Sequence, residues 1–134
     1  MAVDQTQAEP DPGAVAAALA VLDRFMRALN AGDEEALLAS LHFPHYRLAG
    51  GRMQIWETPG PYLGDFYGRA GADWHHSAWD FRKLIAAGLA KVHLDVQFTR
   101  YRADGTALGA FRSLYVLARR DGHWGIALRS TFAG

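Results

Sequence analysis

The chain contains no cysteine. Disulfides, thiolate nucleophiles and cysteine metal sites are thereby excluded, and the redox compartment is left open. Neither charge is in excess: Lys plus Arg and Asp plus Glu each number 14, so the formal net charge is zero. A nucleic-acid-binding domain ordinarily shows a basic excess or stripe, and an anionic membrane surface asks for the same. Neither partner is expected. The apolar run from Ala14 to Leu22 is too short to cross a bilayer. The opening residues lack a basic segment followed by an apolar one, so no secretory leader is read and a cytoplasmic location is expected. No Gly-rich phosphate loop, Gly-x-Ser-x-Gly elbow or His-Glu-x-x-His helix occurs. The pair His42 and His45 has a metal-like spacing, but Pro44 interrupts it and the sequence fixes no third ligand. No metal and no cofactor are expected.

What the chain does have is apolar content, half of its 134 residues, enough for one domain with a real core. Residues 1–10 are polar and read as a loose tail, leaving 11–134 as the folded domain. Asp11-Pro12 signals a helix start, and Val15, Leu19, Leu22, Phe25, Met26 and Leu29 recur at helical spacing up to Asn30-Ala31-Gly32. Asp33 caps a short second helix carrying Leu37, Leu38 and Leu41, ended by Pro44. Tyr46–Leu48 and Met53–Trp56 flank Gly50-Gly51 as a hairpin. A third helix carries Tyr62, Leu63, Phe66 and Tyr67. From Trp74 the period becomes two, giving strands at 75–86, 91–103, 106–119 and 123–132, separated by Gly88, Asp104-Gly105 and Asp121-Gly122. The order ααββαββββ is that of an α+β fold with a curved antiparallel sheet.

Alternation sorts the last four strands into two faces. One holds Trp79, Phe81, Ile85, Val92, Leu94, Val96, Phe98, Phe111, Tyr115, Leu117, Trp124, Ile126 and Leu128. The other holds His76, Asp80, Arg82, His93, Asp95, Gln97, Thr99, Arg112, Leu114, Val116, Ala127 and Arg129. Burial alone favours the apolar set beneath the helices. The alternative places the polar set around an enclosed pocket and covers the apolar set with another subunit.

The element order, the break Asn30-Ala-Gly-Asp-Glu-Glu-Ala-Leu-Leu and the ending Arg119-Arg-Asp-Gly-His-Trp-Gly-Ile resemble the SnoaL-like, or nuclear-transport-factor-two-like, superfamily. That group includes ketosteroid isomerase, scytalone dehydratase, limonene epoxide hydrolase and polyketide cyclases. The resemblance covers residues from about 14 to 133. It implies a cone-like α+β barrel with a cavity between helices and sheet, and a homodimer through the convex sheet face. Laid on the epoxide hydrolase pattern, Gln97, Thr99 and Arg129 fall on its catalytic positions, which assigns the polar set to the cavity. The hydrolase carboxylates are absent, and the isomerase base, oxyanion tyrosine and acid fall near Ala49, Phe25 and Leu114. Scytalone dehydratase has a histidine where His75 and His76 stand.

On this reading Asp80 and His76, sharing one face of a strand, are the acid–base candidates, with His45 at the pocket mouth as a further proton carrier. Arg112 and Arg129 are candidates to hold a carboxylate, enolate or phosphate, beside Gln97, Thr99, Tyr46 and Trp56. Arg82 and Asp95 are expected to form a cross-strand ion pair. Three functions stay open: proton-transfer catalysis of the isomerase, cyclase or dehydratase kind, non-catalytic binding of a hydrophobic or anionic metabolite, and a dimerisation module of the same fold.

Overall fold

Asp11 accepts the backbone N–H of Ala14 at 2.9 Å, and Pro12 supplies a helix-ready φ, so helix α1 runs from Pro12 to Ala31. In the computed structural model, which describes residues 9–132, Gly32 ends α1 at φ 68°, a left-handed conformation that disfavours any side chain. The expected loose tail lies almost wholly outside the described residues. Asp33 caps α2 (Glu34–Ala39) by accepting from Ala36. This helix stops before Pro44 is reached, because the chain from Leu41 onward pairs with the last strand instead. Strand β1 (Leu41–Ala49) therefore starts earlier than expected and contains Pro44. Then come β2 (Arg52–Trp56), α3 (Pro59–Ala70), β3 (His76–Ala87), β4 (Lys91–Tyr101), β5 (Ala107–Arg120) and β6 (His123–Phe132), in the expected order.

The six strands form one sheet in the order β2-β1-β6-β5-β4-β3. Helix α3 carries the chain from the β1–β2 hairpin to the far edge, and β3 to β6 return as a meander. Strand β6 thus arrives beside β1 running the same way, so this pair is parallel and the sheet is mixed rather than wholly antiparallel. With β2 and β3 as free edges, the curved sheet is open, not a closed barrel.

Helix α1 lies across the sheet and buries Ala18, Val21, Leu22 and Phe25 against Val92, Leu94, Val96 and Leu117. Each of these larger side chains contributes about 1.5–3 kcal/mol by leaving water. The end of α1 is tied down by Asn30, whose side chain donates to the carbonyl of Ser77 and accepts its N–H, both at 2.8 Å.

Of the apolar set, Trp79, Val92, Leu94, Val96, Phe98, Phe111, Tyr115, Leu117 and Ile126 face the helices or the cavity beneath them, whereas Phe81, Ile85 and Leu128 lie on the other side, and the polar set of β4 and β5 faces outward. The inward-polar assignment is corrected: covering the apolar residues with α1 outweighs the alignment that favoured it. Bulges break the alternation, and two of them decide where the site candidates point. On β3, Trp79 opposes Phe98 and Phe81 opposes Gln97, leaving Asp80 as an extra residue. Beyond it Arg82 turns toward α1, where it pairs with Asp23 at 2.6 Å. Asp95 pairs with Arg112 at 2.7 Å, so the expected Arg82–Asp95 pair does not form. On β6, Leu117 opposes Ile126 and Val116 opposes Leu128, leaving Ala127 extra. Ile126 and Arg129, three residues apart, consequently both point inward.

Candidate functional site

Between α1, α3 and the inner face of the sheet lies a cavity of about 310 Å³. Phe25, Met26 and Leu29 of α1 and Phe66 of α3 form one apolar wall. Trp79, Phe98, Phe111 and Tyr115 of the sheet form the other. Four arginines interrupt this lining: Arg47 of β1, Arg69 of α3, Arg100 of β4 and Arg129 of β6. No carboxylate lines the cavity, and both ion pairs found among the described residues lie elsewhere.

None of the four forms an ion pair, although the Asp65 carboxylate stands near enough to act on Arg69. Arg47 donates to the Gln54 side chain at 3.3 Å and Arg100 to the carbonyl of Arg69 at 3.1 Å. The Arg69 guanidinium sits 5.3 Å from the Trp56 ring centre and 5.7 Å from that of Tyr62. Arg100 lies 4.6 Å from the ring centre of Phe111. Burial and the positive charge of Arg129 lower the pKa of Arg69 to about 10. Burial first, then neighbouring arginines, also lowers Arg47 and Arg100. All four stay charged at neutral pH.

Arg129 is the deepest of the four, 7% exposed. Its Nε donates to Nε2 of His45 at 3.1 Å. A guanidinium only donates, so His45 Nε2 carries the lone pair and Nδ1 the proton, which goes to the carbonyl of Ile126 at 3.1 Å. An irregular stretch of β1 makes this possible: between Leu41 and Tyr46 the strand advances five residues while β6 advances from Ile126 to Leu128. His45 is thereby turned wholly inward. Burial, then the charge of Arg129, hold its pKa near 3, so it is neutral. Arg129 Nη2 finds no partner; neither do Arg69 Nη1 and Tyr62 Oη.

A family of NTF2-like proteins, DUF6841, matches the chain over residues 16–131. The chain belongs to this family. No curated protein matches it. Among solved structures, the NTF2-like chain is similar to a cystatin-like-fold protein of unknown function from Nostoc punctiforme, at TM-score 0.75 and 12% identity over 95% of this chain and 96% of that one. An NTF2-like protein from Shewanella oneidensis gives TM-score 0.72 and 10% identity, covering 89% and 98%. A ketosteroid isomerase-like protein from Erwinia carotovora gives 0.66 and 17%, covering 91% and 97%. At these identities the likeness speaks for the fold alone.

Of the sequence-derived candidates, this NTF2-like fold brings only Arg129 to the cavity. Asp80 lies on the outer face, accepting from Thr99 at 2.7 Å and Gln97 at 3.1 Å. Gln97, Thr99 and Asp80 thus satisfy one another away from the pocket. Arg112 is outside, paired with Asp95. His76 stands at the start of β3, its ring 5.0 Å from that of Tyr101, and does not meet Asp80. Tyr46 points outward and is 37% exposed. His45 and Trp56 are buried behind the arginines rather than at a mouth, Trp56 donating to Asp65 at 2.7 Å. The residues the sequence reading passed over are Arg47, Arg69 and Arg100. Their signal was parity. Arg100 continues the inward series Val96 and Phe98, Arg47 follows His45, and Arg69 extends the helical stripe Tyr62 and Phe66. An arginine at an apolar position of such a stripe marks a charge aimed at the interior.

Proposed function

We propose that this NTF2-like domain binds a small molecule with a hydrophobic body and an anionic head, the body against the aromatic walls and the head among the four arginines. The observation that carries the reading is Arg129: buried, charged, with one guanidinium nitrogen unpartnered and no carboxylate in the cavity. Unpaired buried charge is costly, and a guanidinium fork suits planar or tetrahedral oxyanions. Calorimetric titration at neutral pH is expected to give phenylacetate at least tenfold higher affinity than the isosteric neutral phenylacetamide. Equal affinities would sink the reading.

Proton-transfer catalysis takes support from the ketosteroid isomerase-like names of two structural neighbours. The cavity holds no carboxylate base, however, and both ring nitrogens of His45 are engaged. Binding is therefore the better-supported function.

The domain is also proposed to pair with a second copy of itself. The ground for this differs from the one the sequence offered, since Trp79, Phe98 and Tyr115 face inward and need no outside cover. On the outer face Tyr46 neighbours Ile55 on β2 and Leu128 on β6, and Leu48 neighbours Met53. All five side chains are substantially exposed, Ile55 at 52% and Met53 at 57%. A contiguous apolar patch of this kind, rimmed by the charged Asp95–Arg112 pair, is what an isologous dimer buries. Sedimentation at micromolar concentration is expected to give twice the chain mass, and Leu128→Glu half of that. A wild-type monomer would remove the proposal.

A further inference from the structure

Resting on the anion-pocket reading above, we infer that the head group is a tetrahedral dianion: the phosphoryl group of a phosphate monoester or phosphonate, seated against Tyr62, Arg69 and Arg129. The location comes from the unpartnered atoms. Among the described residues, only three buried side-chain nitrogen or oxygen atoms lack a hydrogen-bond partner: Tyr62 Oη, Arg69 Nη1 and Arg129 Nη2. All three belong to one cluster. The Tyr62 ring lies 5.7 Å from the Arg69 guanidinium carbon and 5.6 Å from that of Arg129. Native interiors leave few polar atoms unmet, and each asks for an explanation. Two guanidinium nitrogens, which can only donate, and one phenol hydroxyl, which can donate, are thus left unmet on neighbouring side chains, and an oxyanion would meet all three.

The class of oxyanion follows from charge and donor count. Four guanidiniums surround the cavity and nothing negative lines it. A carboxylate would remove one charge of the four and offer two oxygens in a plane. A phosphate monoester carries a charge approaching two at neutral pH, its second pKa being about 6, and presents three terminal oxygens. Those oxygens match three donors that come from different directions. Tyr62 and Arg69 stand two turns apart along one side of α3, and Arg129 approaches from β6. Arg47 and Arg100 complete the positive surround. The aromatic walls and the volume of about 310 Å³ suit a short apolar body beside the head.

The test compares four probes with the full chain at pH 7.5: phenyl phosphate, phenyl sulfate, benzoate and inorganic phosphate. Phenyl phosphate, tetrahedral and doubly charged, is expected to bind at least tenfold tighter than phenyl sulfate, which has the shape but one charge, and than benzoate, which is planar. Inorganic phosphate, lacking the apolar body, is expected to bind more weakly than phenyl phosphate. The advantage over phenyl sulfate should shrink as the pH falls through the second ionisation of the ester. Tyr62→Phe keeps the ring and removes one donor, so it should weaken phenyl phosphate severalfold while leaving the melting temperature near that of the wild type. Phenyl sulfate or benzoate binding as tightly as phenyl phosphate overturns the dianion and leaves the anion pocket standing. Unchanged affinity in Tyr62→Phe overturns the seat. Failure of all four probes, together with phenylacetate, overturns both this inference and the reading it rests on.

Discussion

Replacing Arg129 by methionine should weaken anion binding roughly thirtyfold or more and yet leave the ligand-free protein about as stable as before, or more so. The two halves of this result share one cause. Without a ligand the Arg129 guanidinium is buried, has no carboxylate partner and lies close to Arg47, Arg69 and Arg100. Taking such a charge out of water costs several kcal/mol after relaxation. Methionine keeps much of the length and the apolar packing while removing that cost. Against the gain stands the loss of the bond to His45, whose Nε2 becomes a buried unpaired acceptor at about 1–3 kcal/mol. The balance is a change near zero or a net stabilisation, where truncating an ordinary core side chain costs about 2–5 kcal/mol. Binding moves the other way. Removing one partner of a buried, hydrogen-bonded charge pair costs about 2–5 kcal/mol, a loss of roughly thirtyfold or more. Urea denaturation and calorimetry on the same preparation read both quantities. A variant that unfolds easily but still binds phenylacetate would show Arg129 to be structural.

The same residue shows how far the sequence could be read. Strand ends were legible because the turns are written locally: Gly50 and Gly51 at φ 58° and 72°, and Asp121-Gly122 at 52° and 75°, demand residues that tolerate positive φ. Helix α1 was legible from its cap, its proline and its apolar spacing. The face of each residue was less so, because alternation holds only between bulges. Counting by twos from Asp121-Gly122 puts Ile126 and Arg129 on opposite faces, whereas the extra residue Ala127 puts both inside. Asp80, as the extra residue of β3, was likewise taken for a pocket acid. No local motif announces either bulge. Both arise where a curved sheet must bend around α1, and that is a tertiary demand. The parallel pairing of β1 with β6 is also non-local, being set by where α3 delivers the chain.

His45 carries the second large effect, and it appears as acid lability. Burial, then the Arg129 charge, place its folded pKa near 3, against an ordinary value of 6.5. Between those values the unfolded chain binds a proton at this position and the folded chain does not, so stability rises with pH across the window. The contribution is fully present above about pH 6.5 and is lost as pH falls toward 3. A shift of that size corresponds to roughly 5 kcal/mol over the whole window, and about 2–3 kcal/mol by pH 4.5. Carboxylates titrating in the same range affect wild type and variant alike, so the difference between them isolates the histidine. His45→Gln is the suitable variant: its carbonyl oxygen accepts from Arg129 and its amide donates to Ile126, and neither titrates. Exchanging the ring is expected to cost about 1 kcal/mol at pH 7.5. The two stability curves should therefore cross between pH 6.5 and 5, the variant becoming the more stable form below that point. Urea midpoints at pH 7.5, 6.5, 5.5 and 4.5 would show it. Parallel curves would mean that His45 takes up its proton in the folded protein as readily as in the unfolded one. In that case the hydrogen bond from Arg129, which needs an unprotonated Nε2, could not be holding the guanidinium in place.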